Sequence, residues 1–132
     1  MLTLSTAYWC VLIAALLPYA WVGIAKGGGE RYNNRDPRGW MARQDNPRIQ
    51  RAFAAHLNAL EAFPPFAAGV VLAHLAQVPA DRIAGLAIAF VVFRIAHGLL
   101  YVGNRPLLRS TVWAGGFACV LVLLVMAALR VG

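Results

Sequence analysis

The residues able to do chemistry fall into three groups. Arg51, Asn58 and Glu61 are spaced by seven and three, which on a helix puts all three on one face. Arg94, His97 and Tyr101, at i, i+3 and i+7, make a second stripe. Arg109 and Ser110 follow, where the last apolar run opens. Ionisable groups among so many apolar neighbours are costly and face a protein interior or a wet cavity. Their chemistry is that of a polar ligand held in an apolar surround. Each also has a structural reading. Glu61 is either the counter-ion of an arginine in the chain or a ligand contact. His97 is either a core histidine or a ligand contact, and Tyr101 either an interfacial anchor or part of the site. His56, two residues from Asn58, falls on a different face and reads as structural or as facing a neighbouring subunit.

The elements that carry these stripes follow from composition. The 132 residues are 61% hydrophobic and 13% charged, where a soluble domain has roughly 45–50% and about 25%. A chain this short cannot bury that excess in its own core. An ordinary soluble globule, a disordered chain and a coiled coil are thereby excluded, and an integral membrane protein of one domain, residues 1–132, is expected. Residues 1–25, 62–80 and 110–129 contain no charge, and Arg94 is the only charge between Arg82 and Arg105. About 20 apolar residues cross a hydrocarbon core of roughly 30 Å. The expected architecture is all-α: an integral membrane four-helix bundle with helices near 4–26, 47–78, 82–103 and 108–130. The first run lacks a basic lead and exceeds the usual length of a signal-peptide core, so it is expected to be a span. Gly27, Gly28 and Gly29 end it, and Asp45 or Asn46 caps the second helix with Pro47 at its first position. The Pro64–Pro65 pair is expected to bend that helix. Cys10 and Cys119, within apolar runs, read as packing residues, and Trp9, Trp21 and Trp113 as interface or packing aromatics. No metal-ligand cluster, P-loop or dinucleotide fingerprint occurs.

Charge fixes orientation. Lys26, Arg31, Arg35, Arg38, Arg43, Arg48 and Arg51 lie in or beside the first connection, and Arg105 and Arg109 in or beside the third. The opposite side has Arg82 and Arg130. Nine basic residues against two place the first and third connections in the cytoplasm and both termini outside, in the cell (inner) membrane. From Glu61 an uncharged run of 19 residues, about 28 Å, puts Glu61 near the cytoplasmic boundary. Arg94 lies about 10 Å inward of Tyr101 and needs an acceptor in the protein. The net charge of +7 is mainly this topology signal, with contact to membrane lipid as a lesser reading. Nucleic acid is not an expected partner.

"RAFAAHLNALEAFPPF" (51–66) and "FRIAHGLLYVGNRPLLRS" (93–110) resemble signatures of the MAPEG family, the membrane-associated proteins in eicosanoid and glutathione metabolism. The first is similar to the microsomal glutathione transferase version, the second to microsomal prostaglandin E synthase. The resemblance implies a homotrimer, with glutathione as co-substrate bound between subunits near the cytoplasmic face. A lipophilic small molecule would arrive through the bilayer. It implies glutathione contacts at Arg51, Asn58, Glu61, Arg94, His97 and Tyr101, with Arg109 stabilising the thiolate and Ser110 beside it. It departs at Ala54, where the family commonly has arginine, and at Trp113, where the prostaglandin enzyme has tyrosine. The expected function is a glutathione-dependent transferase or peroxidase acting on lipophilic electrophiles at the cytoplasmic side of the membrane. The alternatives are a non-catalytic lipid-binding or scaffold member of the fold and, less favoured, a small proton-driven transporter. Such transporters carry their key glutamate in the first helix, which here has none. Trimerisation has a second motive, because one subunit has two polar stripes and one core to hide them in.

Overall fold

The computed structural model describes residues 1–132. It is all-α: α1 (Leu4–Gly27), α2 (Pro37–Ala42), α3 (Pro47–Leu75), α4 (Ala80–Val102) and α5 (Pro106–Val131). Helices α1, α4 and α5 are long and apolar enough to cross a membrane. The expected fourth, α3, is the longest at 29 residues, about 43 Å. It falls outside that class because Arg48, Arg51, His56, Asn58 and Glu61 crowd its first half.

Capping explains the ends. Asn46 caps α3, its side chain accepting from the Arg48 amide at 3.0 Å, with Pro47 at the first helical position. The helix was expected to reach residue 78 but stops at Leu75. Gln77 there adopts a left-handed φ of 59°, and the Val78 amide turns back to the Ala73 carbonyl at 2.9 Å. Asn104 repeats this after α4, with φ 56° and Arg105 N–H on the Leu100 carbonyl at 2.9 Å. Both are Schellman stops, and they make the two reversals short enough to keep α3, α4 and α5 antiparallel neighbours. Helices α4 and α5 begin two residues before the expected 82 and 108, as Pro79 and Arg105 occupy the N-cap positions. Helix α2 was not expected. Asp36 nucleates it by accepting from the Gly39 amide at 3.1 Å, with Pro37 in the first turn. Helix α3 runs unbroken through Pro64 and Pro65, whose missing amides leave the Leu60 and Glu61 carbonyls without intrahelical donors.

Helix α1 packs on α3 and α4, and α5 on the same two helices. The buried stripe of α1 reads Ala7, Cys10, Ala14, Pro18, Trp21, Ala25, a period of three or four. Helix α3 answers with Ala52, Ala55, Ala59 and Ala73, while Gly69 of the same helix faces Leu123 of α5. Such small residues let backbones approach closely, which is what holds helices together where the solvent is as apolar as the core. Larger groups fill set places. Phe66 and Phe90 stack with centroids 3.9 Å apart, and the Trp21 ring lies against the bare backbone of Gly98. Both cysteines are free and buried. Trp40 of α2 packs with Ala25, Ile49 and Ala52, closing the polar connection over the helix ends.

This register sets the level of Glu61 along the bundle. Trp21 packs on Ala55 and Ala59, so Glu61 lies further along α3 than the end of α1, at the level of the uncharged run of that helix but on the flank facing α4 and α5. Packing, and not the length of one uncharged run, sets how the helices align.

Candidate functional site

Two clefts adjoin on the same flank of α3, α4 and α5. One, of about 160 Å³, is lined by Asn58, Glu61, Phe90, Arg94, Trp113 and Phe117 among others. The other, of about 210 Å³, is lined by Asn58, His97, Tyr101, Arg109, Ser110 and Trp113. Asn58 and Trp113 belong to both, so they form the partition between them.

Arg94 is the anchor. Its side chain is 4% exposed, and Nη2 donates to Asn58 Oδ1 at 2.8 Å. This supplies the acceptor that its depth requires, and it ties α4 to α3. The single ion pair of the chain is Arg43–Asp36, on the exposed connection. Glu61 is thus not locked to an arginine, and it is exposed on the surface of the single chain. An exposed carboxylate beside a buried guanidinium leaves one cleft able to meet both signs of charge.

In the neighbouring cleft the Arg109 guanidinium lies over the Tyr101 ring, 4.2 Å from its centroid, a cation–π contact. His97 meets the same ring edge-on at 5.6 Å. That contact steadies Arg109 without using its N–H donors, which remain free for an anion. His97 is 2% exposed, and its Nδ1 is buried with no hydrogen-bond partner. Ser110 is exposed at the mouth.

Seven of the eight expected residues therefore converge: Asn58, Glu61, Arg94, His97, Tyr101, Arg109 and Ser110. Arg51 does not. Its Nε donates to the Val102 carbonyl at 3.2 Å, so it caps the end of α4. His56 turns to α1, with Nδ1 2.7 Å from the Pro18 carbonyl. Two lining residues were not anticipated as part of a site. Trp113 and Phe117 stack, with centroids 5.2 Å apart and planes 15° from parallel. Their signal was present in the spacing, since Arg109, Trp113 and Phe117 recur every four residues on one face of α5.

A family comparison bears on the resemblance noted in the sequence. The MAPEG family model matches residues 6–129. The chain belongs to the MAPEG family. Among curated proteins and among solved structures, nothing matches it. Membership joins α3 and the α4–α5 reversal, the two places where the clefts are built, within one matched span.

Proposed function

We propose that this MAPEG-family chain is a membrane-bound glutathione transferase or peroxidase acting on lipophilic electrophiles. The observation that supports it most is the pairing of the two clefts. One offers Glu61 with Arg94, the other Arg109 with Ser110, and they share Asn58. Glutathione has two carboxylates, an ammonium and a thiol. The donor set answers the ammonium, one carboxylate and the thiol of that inventory, and the orphaned His97 Nδ1 adds a buried polar atom in want of a partner. In this reading Glu61 takes the ammonium and Arg94 a carboxylate, as a planar guanidinium suits. Arg109, with free donors above Tyr101, faces the thiol and stabilises its ionised form, which is the nucleophile. Ser110 adds a hydroxyl at the same mouth. The stacked Trp113 and Phe117 give the electrophile an apolar wall reached from the bilayer.

The same reading includes four spans with α3 as the fourth, both termini outside, and a homotrimer. The trimer is supported by Glu61, an exposed carboxylate at the level of the apolar run of α1, which a neighbouring subunit would cover. The second reading, a non-catalytic lipid-binding or scaffold member, is favoured by Arg51, which is engaged on a backbone carbonyl, and by Ala54 one turn from Asn58. Calorimetry with glutathione on the detergent-solubilised protein, followed by conjugation of an aryl halide, separates the two. Saturable binding with turnover supports the enzyme. A fully folded protein with neither supports the scaffold.

A further inference from the structure

A third cavity lies away from these clefts, where α1, α2 and α3 meet. It is about 340 Å³, larger than either cleft of the proposed active site. Its mouth carries Lys26 and Arg38, and its depth is lined by Phe53, Leu57 and Leu60. No acidic residue lines it. Neither cation has an acidic partner in the chain, since the one ion pair joins Arg43 to Asp36. Lys26 is held at the rim by its ammonium over the Tyr32 ring, 4.4 Å from the centroid.

The polarity runs in one direction. Arg38 opens the second residue of α2, on the connection rich in basic residues, while Leu57 and Leu60 flank the uncharged run of α1. Between Phe53 and Leu60 the wall extends about 10 Å and is apolar except at His56, whose Nδ1 is engaged on the Pro18 carbonyl. Leu57 and Leu60 are 45% and 42% exposed, so the floor is open at its side, where acyl chains would be. A cationic mouth at the membrane surface above an apolar, laterally open floor is complementary to an anionic head with a chain attached.

We propose that this cavity is a binding site for one anionic phospholipid of the leaflet facing the basic connections. Its phosphate is taken by Lys26 and Arg38, and an acyl chain runs along Phe53, Leu57 and Leu60. The proposal does not depend on glutathione use. A lipid there would fill the space beneath α2 and fix that short helix on the ends of α1 and α3.

The test is lipid retention by the intact protein in nanodiscs of equal phosphatidylglycerol and phosphatidylcholine, read by native mass spectrometry after release into mild detergent. The parent retains phosphatidylglycerol by roughly thirtyfold over phosphatidylcholine, the scale expected for two basic side chains near a lipid surface. The double variant Lys26→Gln/Arg38→Gln loses that preference, whereas the charge-conserving Lys26→Arg/Arg38→Lys keeps it. Leu60→Trp fills the floor and abolishes retention while helicity by circular dichroism is unchanged. Equal retention by parent and Lys26→Gln/Arg38→Gln overturns the proposal, as does a Leu60→Trp protein that still holds lipid. Displacement of the lipid by inorganic phosphate shows a bare anion site and overturns it too. Displacement by glutathione assigns the cavity to the co-substrate, with the same consequence.

Discussion

Asn58 is the most informative residue to remove. Arg94 is nearly inaccessible at 4%, and Asn58 Oδ1 is the one acceptor its guanidinium reaches, at 2.8 Å. A hydrogen bond to a charged group contributes about 1.5–3 kcal/mol in a protein interior. Interhelical hydrogen bonds in membranes average about 0.6 and reach about 1.7 kcal/mol. Asn58 is half-buried beside two open clefts, which argues for the lower part of the first range. Asn58→Leu should therefore cost about 1.5–2 kcal/mol, most of it from a guanidinium left buried without its acceptor. Arg94→Met should cost less than about 1 kcal/mol, because it removes the charge along with the need to satisfy it. The Asn58→Leu/Arg94→Met double variant should then be scarcely worse than Arg94→Met alone, giving a coupling of about 1.5 kcal/mol. The assay is loss of helicity on titration with sodium dodecyl sulfate in mixed micelles, for all four proteins of the cycle. Additivity of the two single changes to within about 0.5 kcal/mol would refute the reasoning. So would a Glu61→Gln protein destabilised as much as Asn58→Leu, since the charge of Arg94 would then be balanced by Glu61.

Three further outcomes are expected. Arg109→Ala should lower kcat for conjugation more than it raises the apparent glutathione constant, because its interaction grows as the thiol ionises, whereas Glu61→Gln should chiefly weaken binding; steady-state kinetics with calorimetry separates them. Gly98→Val should destabilise by about 1–3 kcal/mol or more, since a side chain there meets the Trp21 ring, and Trp21→Leu should recover part of the loss in the same detergent titration. A thiol introduced by Asn34→Cys should resist membrane-impermeant labelling from outside intact cells and react after permeabilisation, as nine basic residues against two require.

Periodicity and charge are legible in the chain itself. The stripes of α3 and α4 and the Asn46–Pro47 start of α3 depend on local spacing, and local spacing is written in the sequence. What depends on packing is not. Nothing in the chain's linear order says that Arg94 meets Asn58, thirty-six positions away, or that Arg51 spends its donor on Val102. Gln77 carries no turn signature, yet it adopts the left-handed conformation that ends α3, where its own amide and that of Val78 close on the His74 and Ala73 carbonyls. Helix α2 was signalled by Asp36–Pro37, but the polar composition around it masked six helical residues. Trp113 reads as a packing aromatic on its own and becomes part of a cleft only beside Phe117.

The seam of alanine and cysteine between α1 and α3 inverts the usual geography of tolerance. In a soluble domain the costly change trims a large core side chain, and the harmless one lies on the surface. Here many buried positions already hold the smallest side chains, among them Ala7, Ala14, Ala25, Ala52, Ala55 and Ala59. Trimming has little left to remove, so variation there can go only upward in size and must push two helices apart along their length. The outward residues, such as Leu12, Leu16, Val122 and Val125, can exchange for any apolar group that acyl chains accept. Over time such a chain would drift freely on its outside and stay still along its seam.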